Sequence, residues 1–335
     1  MPRRRLTQRQ KARIQAIQEQ RREKLGRRAE QSLADAGTSP TEQGRVVVRH
    51  GATLVIEAES GKLYTCLTRQ NIGHPVCGDR VVWQLIDDKS GVVTALQPRN
   101  SVLSRPDSIG QEKPLAANIS QLVIVLAPHP EPSGYLLDQY LVTAETIGIP
   151  PLIAINKIDL LAEDARQRFL QGFDHYRQIG YALAEVSAKQ EHGLDELTLR
   201  LRDETNILVG QSGVGKSSLI NALLPSLGLE TGKLSEATGM GRHTTSAATC
   251  YHLPLGGELI DSPGVRSFRL TSLSLSQLEH GFPEFRPYLG RCRFKNCAHE
   301  REPGCMIRQA VAQGQIHPLR LENFLRLRGS LAATP

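Results

Sequence analysis

The sequence predicts a multidomain protein: an N-terminal all-β barrel, a central α/β domain and a C-terminal cysteine-rich module with helices. Three observations carry this prediction. Five short β-branched-rich runs lie between residues 44 and 99, a glycine-rich loop follows an apolar run at residue 210, and three cysteines and a histidine crowd into residues 292–305. The expected domains are a basic arm and linker (1–40), the barrel (41–100), the α/β domain (101–275) and the cysteine-rich helical domain (276–335).

Composition limits the class of protein. Of the 335 residues, 39% are hydrophobic and 22% are charged, which suits one large core or several modest ones and is not typical of a disordered chain. No apolar run approaches the roughly 18 residues of a membrane span, so we expect no membrane association. Six cysteines are too sparse for a disulfide scaffold and favour a reducing, cytoplasmic location with one metal site.

Basic residues are concentrated at the amino terminus. Residues 1–30 contain eleven Lys and Arg against three Glu, a surplus of eight charges, whereas the whole chain carries +7. The composition favours helix, but few apolar side chains are available, so we interpret the segment as a polar arm that is helical at most when bound. A contact with a nucleic-acid backbone, a solvated tail and an organellar transit peptide are the open interpretations, and the glutamates argue against the last.

The five β-branched-rich runs predict strands, because glycine-containing turn signals such as His50-Gly51 and Ser90-Gly91 separate them. Five short strands suit an oligonucleotide-binding (OB) barrel, and an SH3-like or other small barrel without a nucleic-acid role is the alternative. The barrel segment contains only two aromatic residues, Tyr64 and Trp83. Trp83 alternates with valines as a core residue does, so any RNA contact here should depend on charge and shape.

A phosphate-binding loop is predicted at Gly210–Ser217, which fits G-x-x-x-x-G-K-S/T between a strand-like and a helix-like run. Glycines there let successive N–H groups point at one phosphate. Lys216 should reach the β- and γ-phosphates, and Ser217 should coordinate Mg²⁺. The candidate nucleotide contacts in this loop are Gly210, Gln211, Ser212, Gly213, Val214, Gly215, Lys216, Ser217 and Ser218.

Guanine is predicted as the base from a second motif. The residues Asn156-Lys157-Ile158-Asp159 follow an apolar strand and fit N-K-x-D. The Asp159 carboxylate can accept hydrogen bonds from guanine N1–H and the 2-amino group, whereas adenine would leave it unpaired at a cost of roughly 1–3 kcal/mol. The pair Ser187-Ala188 ends another apolar run and would close the pocket with a backbone N–H to guanine O6.

Downstream residues complete the predicted magnesium site. Asp261 and Gly264 belong to a D-x-x-G motif, in which Asp261 should hold Mg²⁺ through water and the Gly264 N–H should sense the γ-phosphate. The glycine-rich segment 239–245 precedes this motif. Within it Thr245, with Thr244 as the alternative, should complete the Mg²⁺ shell.

The residue after Gly264 is Val265, which cannot orient water as a glutamine does in Ras-like enzymes. His243 is therefore the candidate catalytic side chain, together with Lys216 and Thr245. The alternatives are that His243 is a solvent-exposed residue, or that a partner-supplied group or a bound K⁺ contributes.

The order of these motifs predicts a circularly permuted fold. N-K-x-D and Ser-Ala precede the phosphate loop and D-x-x-G comes last, whereas an ordinary GTPase begins with its phosphate loop. The pocket closes only if the same strands are wound from a different starting point. The C-terminal module is then tethered to a nucleotide-sensing segment, so we expect hydrolysis to reposition it.

The pattern C-x4-C-x-H-x5-C predicts a structural Zn²⁺ site, because three thiolates and one imidazole make a closed tetrahedral set. A coincidental cluster of free cysteines is the alternative. The ligands would be Cys292, Cys297, His299 and Cys305. Helices are expected over 306–327, with a break at His317-Pro318. A second RNA-facing patch is predicted from the basic residues Arg291, Arg293, Lys295, Arg301 and Arg308.

Taken together, the motifs resemble those of the RsgA/YjeQ family of circularly permuted GTPases. The resemblance covers about residues 40–330 through ANIS at 117–120, NKID, GQSGVGKSS, GRHTT, DSPGVRSF and the Cys/His pattern. It implies hydrolysis of GTP to GDP and phosphate, stimulated by the 30S ribosomal subunit, and contact with 16S rRNA in late small-subunit maturation. The family's replacement of the catalytic glutamine and its proposed catalytic histidine match Val265 and His243.

The residues alone leave two other functions as alternatives. A nucleotide kinase would need a phosphate-acceptor site and a lid, and would not need a guanine-specific N-K-x-D motif. An RNA-binding scaffold, in which GTP or GDP acts mainly as a structural switch, would show no stimulated turnover. A monomer is the expected state of a protein that docks on a ribosomal subunit.

Overall fold

The computed structural model describes residues 20, 23–34, 40–51, 53–106, 112–225, 248–261 and 273–332. They fall into two compact units. The first comprises the described residues within Met1–Asn118, Ser226–Tyr251 and Ile260–Pro263, and the second those within Ile119–Pro225, His252–Leu259 and Gly264–Pro335. No helix in the described ranges is long and apolar enough to cross a membrane.

A five-stranded barrel forms most of the first unit. Its strands are β1 (Thr41–His50), β2 (Thr53–Ala58), β3 (Leu63–Thr68), β4 (Arg80–Leu85) and β5 (Ser90–Leu96). The strand order is β1-β2-β3-β5-β4, and a pairing of β1 with β4 closes the barrel. β3 and β5 pair in parallel, and the other neighbours pair antiparallel. This is the predicted OB-type barrel.

The barrel interior is organised around Trp83, which is fully buried. Its ring centroid lies 4.6 Å from that of Tyr64. A Cβ atom at Gly91 would lie 2.6 Å from Trp83 Cε3, so the facing strand needs glycine at this position to admit the indole. Trp83 is therefore a core residue, as its alternation with valines predicts, and its ring is not available to stack on a base.

Residues 23–34 are helical (α1), which corrects the expectation of an arm that is helical at most when bound for residues 23–30 only, because residues 1–19, 21 and 22 lie outside the described residues. Ala29 is fully buried and Leu25 is half-buried, and their spacing of four residues places them on one face of the helix. A Cβ atom at Gly26 would lie 3.1 Å from the Cα atom of Gln70, so the helix packs closely against the segment after β3. The segment near Gln70 is thus a packing partner of the helix that is distant in sequence.

The barrel continues into a hairpin of β6 (Val102–Pro106) and β7 (Glu112–Ala117). Arg99, just before this hairpin, donates two hydrogen bonds of 2.8 Å to the fully buried carboxylate of Asp79. This pairing compensates the burial of the Asp79 charge, which would be costly alone. A further strand, β12 (Ala248–His252), pairs antiparallel with β1.

The second unit is built on a parallel sheet of order β10-β9-β8-β11. The strands are nearly continuous apolar runs, as is typical of parallel strands that are covered on both faces. They are β8 (Gln121–Leu126), β9 (Pro151–Ile155), β10 (Ala182–Glu185) and β11 (Thr205–Val209), and the next strand, β13 (Glu258–Asp261), begins in this unit. The helices of this part are α2 (Gly134–Ile147), α3 (Glu163–Gln171), α4 (Asp174–Ile179), α5 (Leu194–Leu201) and α6 (Lys216–Leu223).

The C-terminal helices share a hydrophobic core with α2. In this core, Val142 of α2 packs with Phe282, Phe285 and Phe324. These helices are α7 (Leu275–His280), a 3-10 helix (Pro283–Tyr288), α8 (Met306–Ala312) and α9 (Pro318–Ala332). A capping box between Ser274 and Gln277 starts α7. The cysteine-rich module is thus packed on the α/β part of the second unit.

A buried cluster of charges, the Arg320 cluster, lies in the same region. Arg320 of α9 and Asp138 of α2 are both fully buried and hydrogen-bonded to each other. Glu284 accepts two further hydrogen bonds from Arg320, of 2.6 and 3.2 Å. Tyr176 and Asn323 each donate to Asp138 at 2.8 Å. The cluster links α2, α4, the 3-10 helix and α9.

Candidate functional site

Four loops meet at one edge of the parallel sheet. Because parallel strands all point the same way, the segments that follow β8, β9, β10 and β11 emerge at their common carboxyl-terminal edge. These segments are 127–133, 156–159, 186–188 and 210–215. The last three hold the predicted nucleotide motifs, so the topology places them where α/β sheets bind ligands.

The phosphate loop depends on its glycines. Gly210, Gly213 and Gly215 have φ angles of 138°, 86° and 91°, which favour glycine. A Cβ atom at Gly210 would lie 2.2 Å from the Val125 carbonyl oxygen, and one at Gly215 would lie 2.4 Å from Asn156 Nδ2. Lys216 Nζ donates to the carbonyl oxygens of Gly210 and Gln211 at 2.7 and 2.6 Å. The loop therefore curls around the ammonium group of its own lysine.

Asn156 connects three of the predicted motifs. Its Nδ2 donates to the carbonyl oxygen of Val214 at 3.0 Å, and its Oδ1 accepts from the N–H of Ala188 at 3.1 Å. The side chain is almost fully buried, with 1% of its surface exposed. One amide thus holds the N-K-x-D loop, the phosphate loop and the Ser-Ala loop at fixed positions.

We predict that Asn156→Ala lowers both stability and nucleotide affinity. The change leaves the Val214 carbonyl and the Ala188 N–H without their buried partner, at about 1–3 kcal/mol for each group. Thermal unfolding and titration with a fluorescent guanine nucleotide would measure the two effects. Asn296→Ala, at an exposed position, is the control. An unchanged melting temperature and affinity for Asn156→Ala would contradict the bridging role.

Lys157 forms a second connection between loops. Its backbone has a φ of 64°, and Nζ donates to the carbonyl oxygens of Gly213 at 2.5 Å and His129 at 3.2 Å. The segment after β8, which includes His129 and Pro130, is a part of the site that the sequence motifs do not indicate. Its only signal is its position directly after an apolar strand.

The carboxylate of Asp159 is held by Ser187, whose Oγ donates to Asp159 Oδ1 at 2.5 Å. Ser187 is 1% exposed, and its Oγ also accepts from the N–H of Gln190 at 3.1 Å. The N–H of Ser187 donates to the His192 carbonyl at 2.9 Å. Since the Ser187 and Ala188 N–H groups have partners within the protein, the contact with guanine O6 stays a prediction.

The predicted magnesium and switch residues are only partly described. Ser217 is exposed at the start of α6, and Asp261 is exposed at the end of β13. His243, Thr244, Thr245, Gly264 and Val265 lie outside the described residues. The Mg²⁺ shell and the catalytic histidine therefore stay predictions.

The cysteine-rich module brings its four predicted ligands together. The ligand atoms of Cys292, Cys297, His299 and Cys305 all lie within 4.8 Å of one another. His299 Nδ1 is 3.3 Å from Cys305 Sγ and 3.7 Å from Cys292 Sγ. Three of the four residues are buried, and Cys292 is half-buried. This cluster could hold a metal ion.

Burial affects the ionisation of the cysteines in the cluster. Burial is the main cause that raises the pKa of Cys297 to about 12, and it also raises the pKa of Cys305. Buried thiols with raised pKa values stay protonated at neutral pH unless a positive charge compensates the thiolates. A soft divalent metal supplies that charge, and a donor set of three sulfurs and one nitrogen matches the preference of Zn²⁺.

Two glutamates support the cluster: Glu302, which lies in the turn between the last two ligands, and Glu279, which the sequence motifs do not indicate. Glu279 Oε1 of α7 lies 3.3 Å from His299 Nε2, the ring nitrogen that faces away from the sulfurs. Glu302 accepts hydrogen bonds from the N–H groups of Ala298, Arg301 and Glu300 at 2.8–3.1 Å, which lower the pKa of Glu302 to about 2. Glu279 orients the imidazole, and Glu302 organises the loop between the last two ligands.

The chain is similar to known GTPases over nearly its whole length. A family model described as RsgA GTPase matches residues 96–271. The small ribosomal subunit biogenesis GTPase RsgA of Hahella chejuensis is 47% identical over 99% of this chain and 97% of its own length. That of Pseudomonas aeruginosa is 44% identical over 100% and 99%.

Two solved structures share the fold. The crystal structure of YjeQ from Thermotoga maritima matches with a TM-score of 0.73 and 29% identity, over 88% of this chain and all of that one. YloQ, described as a circularly permuted GTPase, matches with a TM-score of 0.69 and 30% identity, over 88% and 96%. These matches confirm the predicted fold class.

Proposed function

This chain belongs to the RsgA GTPase family and is a GTP-hydrolysing enzyme, and we propose that it binds the 30S ribosomal subunit and hydrolyses GTP during late maturation of that subunit. The observation that carries the nucleotide part is the position of Asn156, which holds the three nucleotide motifs together. The ribosomal part is supported by the names of the relatives. We further propose that 16S rRNA is contacted, that the subunit stimulates hydrolysis, and that the protein is a cytoplasmic monomer.

In the proposed nucleotide site, guanine lies between the N-K-x-D and Ser-Ala loops, and the phosphates lie in the loop that starts at Gly210. Asp159, whose carboxylate Ser187 holds in place, selects the base. The proposed contacts are Asn156, Lys157, Ile158, Asp159, Ser187, Ala188, the loop residues Gly210–Ser218, Asp261 and Gly264.

Hydrolysis in this proposal depends on charge and on the placement of water. Mg²⁺, bound with the nucleotide, would be held by Ser217, Thr245 and Asp261, and would neutralise charge on the β- and γ-phosphates. Lys216 would contact the same oxygens. Because Val265 cannot orient water, we propose His243 for that role.

We propose that the metal of the Cys/His cluster is Zn²⁺ and that it is structural. Four protein ligands fill a tetrahedral shell and leave no position for a substrate. The metal would fix the loop 292–305 against the core of α7, α8 and α9. Its removal by a chelator should unfold this loop and weaken association with the subunit, while nucleotide binding persists.

We predict that Glu279→Gln lowers zinc affinity by about 10- to 100-fold, because a neutral amide orients the His299 ring less strongly than a carboxylate does. Competition against a chromogenic chelator would measure the change. Glu322→Gln, an exposed position on α9, is the matched control. Equal zinc affinities for the two variants would contradict a role of Glu279 in orienting His299.

Measurement of GTP turnover with and without purified 30S subunits tests the proposed function. We expect a low basal rate that rises with 30S subunits, and a Lys216→Ala variant that hydrolyses no GTP under either condition. Stimulation by 50S subunits and not by 30S subunits would indicate that the large subunit is the partner. Binding to 30S subunits without stimulated turnover would favour the RNA-binding scaffold.

A further inference from the structure

The ring of Phe294 is exposed on the loop between two metal-ligand cysteines. Its exposed fraction is 42%, whereas every other Phe, Tyr and Trp in the described part of the chain is buried or half-buried. The other phenylalanines of this module, such as Phe282, Phe285 and Phe324, are fully buried in its core. The hydrophobic core therefore does not account for the position of Phe294.

The loop that carries Phe294 is held at several points. The N–H of Arg293 donates to the Gly304 carbonyl at 3.1 Å, and the N–H of Cys297 donates to the Phe294 carbonyl at 3.3 Å. A Cβ atom at Gly304 would lie 3.0 Å from Arg293 Cβ, so the two segments are in close contact. A loop fixed in this way presents the ring with little loss of conformational entropy on binding.

Basic residues flank Phe294 in the sequence, and one of them contacts its ring. The guanidinium of Arg293 lies 5.6 Å from the Phe294 ring centroid, within the range of a cation–π contact. Arg291, Arg293 and Lys295 are all exposed, and within the described residues none of the three forms an ion pair. Three exposed cations lie within five residues of sequence, with an aromatic ring among them. This arrangement matches a polyanion that also carries flat apolar surfaces, as a nucleic acid does.

We propose that Phe294 stacks on an unpaired base of single-stranded RNA, while Arg291 and Lys295 contact the adjacent phosphates and Arg293 supports the ring. This inference rests on the proposed function, since the ribosomal subunit supplies the RNA. Single-stranded RNA is favoured over a duplex because a stacked base must be accessible on its face. Because every base has a face on which a ring can stack, the site should bind an unpaired base of any identity.

Binding of a short single-stranded RNA that contains 2-aminopurine tests the proposal with the full-length, zinc-loaded protein. Wild-type protein should quench the 2-aminopurine fluorescence. Phe294→Leu should abolish the quenching and weaken binding by about 5- to 150-fold. Phe294→Trp should retain both. Leu255→Ala, at another exposed apolar position, is the control and should behave as the wild type does.

The salt dependence separates stacking from charge. Lys295→Ala should reduce the slope of log affinity against log salt by about 0.7 and keep the quenching, whereas Phe294→Leu should leave the slope unchanged. Zinc content and melting temperature should be the same in all variants, because the altered side chains are exposed. Absence of quenching by the wild type, or equal binding and quenching by Phe294→Leu, would overturn the proposal.

Measurement of 30S-stimulated GTP turnover with the same variants distinguishes a failure of this inference from a failure of the proposed function. If the wild type is stimulated by 30S subunits and Phe294→Leu binds RNA as the wild type does, the stacking role fails and the proposed function stands. If 30S subunits neither bind the wild type nor stimulate its turnover, the proposed function fails.

Discussion

Replacement of Arg320 by alanine is expected to lower the free energy of unfolding of the second unit by about 3–5 kcal/mol, which corresponds to a fall in melting temperature on the order of 10 °C. The expectation follows from what the change leaves behind. Asp138 is fully buried and Glu284 is 9% exposed in its side chain, and both would lose the cation that compensates them. A buried charge without a partner costs far more than a surface ion pair contributes.

The charge of the Arg320 guanidinium and its packing support the expected loss of stability. Burial by itself lowers the pKa of Arg320, but the charges of Asp138 and Glu284 outweigh burial and raise that pKa above its ordinary value, so the guanidinium stays charged. Its Cζ atom also lies 4.4 Å from the Phe282 ring centroid. Alanine would remove the charge, the hydrogen bonds and this packing together.

Thermal unfolding of Arg320→Ala beside Arg328→Ala measures the effect. Arg328 lies on the same helix and pairs with Glu300, but its side chain is 30% exposed, so its loss should cost about 1 kcal/mol or less. The double variant Asp138→Leu/Arg320→Leu should recover part of the loss, because it removes one of the orphaned charges. Equal melting temperatures for Arg320→Ala and Arg328→Ala would show that the cluster does not stabilise the unit.

Replacement of Asp159 by asparagine is expected to lower guanine-nucleotide affinity by about 100-fold or more and to shift the preference to xanthine nucleotides. The carboxylate accepts two hydrogen bonds from guanine in the proposed pose, each worth about 1.5–3 kcal/mol because one partner is charged. The asparagine amide N–H group would lie opposite the guanine N–H donors and could not form a hydrogen bond with them. It can donate to the 2-oxo group of xanthine, which is an acceptor.

Calorimetric titration with GDP, XDP and ADP measures this shift. Ser187 should continue to donate to the remaining side-chain oxygen at position 159, so the loop keeps its conformation and only the pairing changes. Asp195→Asn, at an exposed position in the first turn of α5, should leave all three affinities unchanged. An Asp159→Asn protein that retains the guanine preference of the wild type would refute the assignment of the base pocket.

The sequence predicted those parts of the site that are local in the chain. Gly210–Ser217 and Asn156–Asp159 were predicted because the backbone conformations and donor groups that bind phosphate or guanine come from consecutive residues. The four metal ligands were predicted for the same reason, since they lie within fourteen positions. Their mutual distances in the structure agree with that prediction.

The long-range contacts that support these motifs were not predictable in the same way. Asn156 reaches Val214 across 58 positions, and Glu279 reaches His299 across 20. No local pattern distinguishes Glu279 from the other glutamates of the chain. The helix at 23–34 was underestimated because the stabilising neighbour, the segment near Gln70, is distant in sequence.

The amino-acid sequence by itself determined the barrel, the guanine-nucleotide motifs with their permuted order, and the metal ligands, because each depends on residue types at short spacing. Tertiary structure alone decided which side chains hold those motifs in place. Arg320 and Asp138 lie 182 positions apart, and only the packing of α9 on α2 makes a charge pair of them. A short motif specifies which atoms are available for chemistry, whereas the position and protonation of those atoms depend on neighbours that folding brings close.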